Sequence, residues 1–219
     1  MTFSIDSEIK SLCPNATLGI LIYSVTVKKT SDSLLDKFNS TISELESKYV
    51  TEDIVKINHI HTTREAYKAL GKSPSSYRNA SEAMLRRIVK GKGLYNINNV
   101  VEINNIISVS SGYSIGSYDL SCVSENITLK RVPDGENYDG IGKSSVNIEH
   151  LPTLYDEEGP FGNPTSDSQR AMIKEGERKV ASVIYSFDGS ENLEKWMAEF
   201  KGLLAEYTDA KDIETFIVE

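Results

Sequence analysis

The run "LGILIYSVTV" at residues 18–27 most constrains this chain. It is about ten residues long, well short of the roughly 20 that a membrane-spanning helix needs. It therefore reads as a buried strand, and a buried strand requires a core around it. The 219 residues are 39% hydrophobic, enough to build that core and to argue against wholesale disorder. The length suits one large domain or two small ones. No repeat, low-complexity tract or linker divides it, so residues 1–219 read as a single domain.

Periodicity separates the ends from the middle. Leu34, Phe38, Ile42, Leu45 and Tyr49 recur at helical spacing behind Ser31 or Asp32 as N-cap. "TTREAYKALG" predicts a short helix stopped by Gly71, and "KSPSSYR" a connecting segment. Asn79 opens a further helix, with Glu82 in capping-box position. From about residue 94, short β-type segments dominate: "ITLKRV", "PTLYD" and "VASVIYSF", divided by turns at Pro133-Asp134-Gly135, Gly140, Gly142 and Gly159-Pro160. "NNVVEINNIIS" fits strand and helix periods alike. Leu193, Trp196, Met197, Phe200, Leu203, Leu204 and Tyr207 predict an amphipathic helix, and "ETFIV" a closing strand. The pattern is α+β.

The formal net charge of −8 argues against non-specific nucleic-acid or membrane-surface binding by the protein as a whole. Cys13 and Cys122 make no disulfide framework, and the N-terminus has no signal-peptide form, so a soluble cytoplasmic protein is expected. Asn15-Ala-Thr and Asn126-Ile-Thr then carry no weight as glycosylation signals. One segment opposes the overall charge. Residues 64–93 hold eight cations against Glu65 and Glu82. Arg86, Arg87 and Lys90 lie opposite the apolar face of the helix starting at 80, and Lys92 follows. This is either an ordinary solvated face or a phosphate-contacting one.

Other motifs are weaker. "DGIGKSS" at 139–145 ends like a phosphate loop, but Asn137 stands where the first glycine is needed, so a turn is expected. His59 and His61 would share one face of a strand, too few ligands for a metal site. "GPFGNPTSDSQ" at 159–169 is a surface loop by composition, yet such loops also present N–H groups to ligands. "SSGYSIGSYDL" at 110–120 has no helical period and weak alternation, consistent with a connection or a ligand-shaped loop. No nucleophile elbow or triad order is visible. No metal or cofactor is expected.

The order of these landmarks resembles a known family. "EAMLRRIVKGKGLYNINNVVEINNIISVSSGYSIGSYDL", then "ITLKRVPDGENYDGI", then "PTLYDEEGPFGNPTSDSQRAMI" is similar to the editing and tRNA-binding module of the bacterial phenylalanyl-tRNA synthetase β subunit, its paired B domains three and four. The resemblance covers about residues 74–185, with 1–73 and 186–219 as flanking αβ elements. "INNVVEIN" parallels the family's I-N-N-V-V-D-I-T-N.

The resemblance implies a β-rich mixed-sheet core, layered β/β/α, with helices in the N-terminal third and at the C-terminus. It implies a pocket between layers in which tyrosine wrongly attached to the phenylalanine tRNA is hydrolysed, a second sieve. Ester hydrolysis there needs a held water and carbonyl polarisation by N–H donors, each worth roughly 10²–10³ in rate. The ligand pocket expected from it comprises Asn105, Tyr113, Gly116, Tyr118, Asp119, Gly162, Asn163, Ser166 and Asp167. Asn105 and Asp119 would fix geometry or simply cap β segments, while Gly162, Asn163 and Ser166 would supply donors. Arg78, Arg86, Arg87, Lys90 and Lys92 would meet tRNA phosphates, and Glu at 86 and 87 should weaken RNA affinity without unfolding. The family's histidine falls on Gly116, and nothing resembles the ATP-dependent core. The leading expectation is thus a stand-alone module that binds tRNA or aminoacyl-tRNA and hydrolyses misacylated aminoacyl-tRNA in trans. The alternatives are a non-catalytic binding domain for an amino-acid-like metabolite or a protein, or a structural subunit.

Overall fold

A computed structural model describes residues 1–219. A short strand β1 (Thr2–Ile5) and helix α1 (Ser7–Leu12) lead into β2 (Thr17–Val27), the strand expected from the apolar run. Four helices follow: α2 (Asp32–Lys48), α3 (Asn58–Leu70), α4 (Ala80–Ile88) and α5 (Asn99–Ser111). Strands β3 (Ser114–Asp119), β4 (Asn126–Arg131), β5 (Asn137–Gly140), β6 (Lys143–Asn147), β7 (Pro152–Asp156), β8 (Gly159–Gly162) and β9 (Gly176–Ser186) come next. Helix α6 (Leu193–Tyr207) and β10 (Lys211–Val218) close the chain.

One sheet runs β10-β2-β9-β3, all antiparallel; a second runs β1-β4-β7-β8, with β1 and β4 parallel; β5 and β6 form a hairpin. Successive residues of β2 point to opposite faces. Leu21, Tyr23, Val25 and Val27 pack with residues of α2, α5 and α6, while Leu18, Ile20 and Ile22 pack with Leu129, Leu154 and Phe161 of the second sheet. Both faces are covered, which is why β2 is apolar almost throughout. The result is a helix/sheet/sheet layering, an α+β fold. No helix is long and apolar enough to cross a membrane.

Helix α5 resolves the ambiguous segment. Ten of its thirteen residues are buried, because it lies between the sheet and the other helices. Burial around most of its circumference, with Asn99, Glu102, Asn104, Ser108 and Ser111 among the buried residues, blurs its hydrophobic period. The Asn98 side chain accepts hydrogen bonds from the N–H groups of Val100 and Val101, and Gly112, at φ 87°, ends the helix.

Three local expectations are corrected. His59 and His61 lie on α3, two residues apart, so helical geometry turns them to different faces. The run 110–120 is a helix end followed by β3, which pairs along β9 from Ser114↔Tyr185 to Asp119↔Val180. The alternation there looked weak because Ser114, Gly116 and Ser117 are small polar or glycine residues inside the protein. Asn79 does cap α4, accepting from the Glu82 N–H at 2.9 Å, but the Glu82 carboxylate does not complete a capping box. It takes arginine partners instead.

Candidate functional site

A cavity of about 290 Å³ opens beside β3, between α4, α5 and the loop that follows β8. It is near the lower limit of small-ligand pockets. Ala80 and Met84 of α4, Val101, Asn104 and Asn105 of α5, and Ile115 and Ser117 of β3 line it. Asn163, Thr165, Ser166 and Asp167 close it from the loop, with Ile97, Ile141, Met172 and Ile173 completing the apolar wall. A wider groove of about 590 Å³ at the ends of β2 and β9 is lined by polar and charged residues, with Val25 as its one hydrophobic member. It has no apolar enclosure.

Asp167 is the only ionisable carboxyl among the cavity-lining residues. The Tyr118 hydroxyl donates to its Oδ1 at 2.8 Å, and the Tyr118 and Tyr185 hydroxyls are 2.7 Å apart. Burial raises the Asp167 pKa to about 7, against the opposing effect of hydrogen bonds from Tyr118 and from the backbone at Asn163. Burial likewise drives both tyrosines well above their ordinary range, so each keeps its proton.

Gly116 and Gly162 make room for that tyrosine. A Cβ on Gly116 would lie 1.9 Å from the Tyr118 hydroxyl oxygen, and one on Gly162 would lie 2.3 Å from it. The Tyr118 ring also packs edge-on to Phe161, with centroids 5.1 Å apart. Where the resemblance implied a histidine, this chain folds a tyrosine back over a glycine.

The loop after β8 is closed on itself. Asn163 Oδ1 accepts from the N–H groups of Thr165 (2.8 Å) and Ser166 (3.0 Å), and its amide donates to Tyr138. The Tyr138 hydroxyl in turn donates to the Ser166 carbonyl, and Thr165 pairs with the Tyr67 hydroxyl at 2.8 Å. The Thr165 and Ser166 N–H groups are therefore engaged within the loop. The Ala80 N–H donates to the Pro164 carbonyl at 2.7 Å, tying the loop to the start of α4.

Of the nine pocket residues expected from sequence, Asn105, Asn163, Ser166 and Asp167 line this cavity. Tyr118 stands behind it through Asp167, and Gly116 and Gly162 flank Tyr118. Tyr113 is elsewhere, stacked on His59 at 3.7 Å. Asp119 accepts from the Ser121 N–H at 2.9 Å and pairs with Arg178 at 3.2 Å. His59 Nδ1 lies 2.7 Å from Asp188 Oδ2. Burial acts to raise the Asp188 carboxyl, but hydrogen bonds from His59 and Ser186 and the His59 charge hold it below the usual range.

The basic segment is partly neutralised from within. Glu82 is fully buried, with Arg64 at 2.9 Å, Arg86 at 2.9 Å and Arg78 at 3.7 Å. Lys72 is buried over the Tyr77 ring, 3.8 Å from its centroid. Arg87 lies 4.3 Å from the Tyr95 ring centroid, while Lys90 and Lys92 are exposed. "DGIGKSS" forms the β5–β6 turn.

Sequence reading did not select Met84, Ile97, Asn104, Ser117, Ile141 or Met172 as lining residues. Ala80 and Met84 carried a signal, sharing a helix face by their spacing of four. Ser117 carried none, because its role depends on Asn104, which accepts its hydroxyl at 2.9 Å from a separate element.

A search of curated proteins finds no match. Among solved structures, the fold is similar to an N-terminal fragment of the phenylalanyl-tRNA synthetase beta-subunit from Pyrococcus horikoshii, with a TM-score of 0.54 at 13% identity over 99% of this chain. The likeness covers 50% of the fragment, so the chain spans about half of its length. The B3/4 domain family matches residues 62–195, which include all of the cavity-lining residues. That match extends over more than half of the sequence, and the chain belongs to the B3/4 domain family.

Proposed function

We propose that this protein is an editing-like module that hydrolyses an aminoacyl ester on tRNA, with Asp167 as general base. The observation that carries the reading is the Asp167 carboxyl, hydrogen-bonded by Tyr118 and the only ionisable group lining a half-apolar cavity, with enclosure raising its pKa to about 7. Membership of the B3/4 family and the fold shared with a synthetase β-subunit fragment support the choice of substrate.

In this reading the amino-acid side chain packs against Met84, Val101, Ile115 and Met172, and the ester carbonyl faces the polar side. Asp167 removes a proton from a water as the water oxygen bonds to the carbonyl carbon. When the tetrahedral intermediate collapses, the carbon–oxygen bond to the ribose breaks and Asp167 returns the proton to the leaving hydroxyl oxygen. A base with a pKa near the working pH suits both steps and contributes about 10²–10⁴ in rate. Carbonyl polarisation falls to the Asn105 amide, because the loop N–H groups are engaged.

The test is release of amino acid from misacylated tRNA. Wild type should exceed the spontaneous rate, and Asp167→Asn should reduce the excess by about 10²–10⁴. An unchanged rate in that variant would remove Asp167 from the reaction. A second reading, a non-catalytic domain for an amino-acid-like metabolite, draws on the Tyr118 ring lying over Gly116 in place of an imidazole. It requires saturable amino-acid binding by calorimetry with no hydrolysis. Cys13 and Cys122, both free thiols, fit the reducing compartment in which the proposal places the protein.

A further inference from the structure

Ala80 and Met84 face the cavity, and three residues beyond Met84 the same helical stripe reaches Arg87. The chain then turns through Gly91 and Gly93, at φ 66° and 55°, and returns along residues 94–98. Ile97 and Asn98 reach the cavity wall. Tyr95 stays outside it, with its ring against the Arg87 guanidinium. Tyr95 is 69% exposed, Ile97 59% and Ile141 46%, so three of the chain's few exposed large hydrophobics belong to this rim or adjoin it.

The Tyr95 ring rests on a cation yet is mostly exposed. Arg87 is itself held, its Nη2 donating to the Lys92 carbonyl at 3.3 Å, while its buried Nε has no protein partner. Lys90 and Lys92 follow it in sequence and are exposed, and the Glu46 carboxylate lies against Gly91 between them. An exposed aromatic backed by arginine and flanked by lysines is what an unpaired nucleobase and its phosphate require. A protein partner would more often meet a larger apolar patch.

We infer that Tyr95, backed by Arg87, is a stacking platform for the 3′-terminal nucleobase of an RNA strand, with Lys90 and Lys92 meeting its phosphates at the mouth of the cavity. The placement rests on the ester-hydrolysis reading, since the acyl group on that terminal ribose would then enter the cavity. A base on the ring also fixes the distance from the ribose to the cavity, adding orientation to binding.

The probe is a 5′-labelled RNA hexamer with an unpaired 3′-terminal adenosine, read by fluorescence anisotropy. Tyr95→Ala should weaken binding roughly 5- to 150-fold, the range for losing one stacked base, whereas Tyr95→Trp should retain it. Affinity should fall as salt rises from about 50 to about 200 mM. Absence of hexamer binding to the wild type, or a Tyr95→Ala affinity within about twofold of it, would overturn the platform. So would adenosine monophosphate binding as tightly as the hexamer, which would make this a mononucleotide site. Cleavage of a small amino-acid ethyl ester by the wild type separates the two readings. Cleavage without hexamer binding sinks the platform alone, and Tyr95-dependent hexamer binding without cleavage of ester or aminoacyl-tRNA sinks hydrolysis alone.

Discussion

A carboxyl that titrates near neutrality responds to each bond it receives, and Asp167 receives one from Tyr118. Its raised pKa sets two directions. As a base it acts only when ionised, so hydrolysis should increase as pH rises through about 7, and a profile flat across that range would contradict the role. For stability, the folded state holds this proton more tightly than the unfolded chain. The group's stabilising contribution is therefore complete below about pH 4 and lost as pH rises through about 7. Asp167→Asn removes that loss, so its melting temperature should gain on the wild type between about pH 4 and 7, the interval between the unfolded and folded pKa values of Asp167. The two glycines at Tyr118 are equally sharp. Gly116→Ala forces Tyr118 out of its slot, because no alanine fits at 1.9 Å from its hydroxyl oxygen. We expect a loss of about 1–3 kcal/mol from overpacking, measured by urea denaturation. None of this was legible at residues 116–118, since the crowding arises from the side chain two positions on.

At the scale of elements, α4 carries two jobs on one short helix. Its buried side holds Glu82 against Arg64 and Arg86; its far end leads to Arg87 and the lysines. This changes the meaning of charge reversal there. Arg86→Glu sets a carboxylate against buried Glu82 and should cost about 2 kcal/mol or more, by analogy with lost hydrogen bonds to charged groups. Any effect of that change on RNA would be confounded with unfolding. Lys90→Glu with Lys92→Glu is the clean variant: both residues are exposed, so stability should change by about 0.5 kcal/mol or less. RNA affinity should fall, and each lost phosphate contact should lower the salt slope by about 1. Unaltered affinity would take this segment out of the interface. The cap at Asn79 and the amphipathic face of α4 were readable because both depend on neighbours within a turn. The Arg64 partner of Glu82 was not, since it comes from α3.

For the whole molecule, β2 and β9 supply side chains to the cores on both of their faces. A layer shared by two cores is a physical basis for their melting together. Calorimetry should therefore show one cooperative transition, and two resolved transitions would divide the chain. The apolar run of β2 and the helical periods of α2 and α6 were specified by their own residues, because hydrophobic runs, spacing and caps are local. The α+β class followed from where those periods change, and the order of landmarks along the middle pointed to the family. Tertiary structure decided the rest. It placed His59 and His61 on a helix, split the 110–120 run into a helix end and the edge strand β3, and wrapped the loop after β8 around that edge so that Asp167 meets Tyr118. The reason is common to all three: burial and contact across distant segments set the chemistry of these residues, and neither quantity is a property of the residues in sequence.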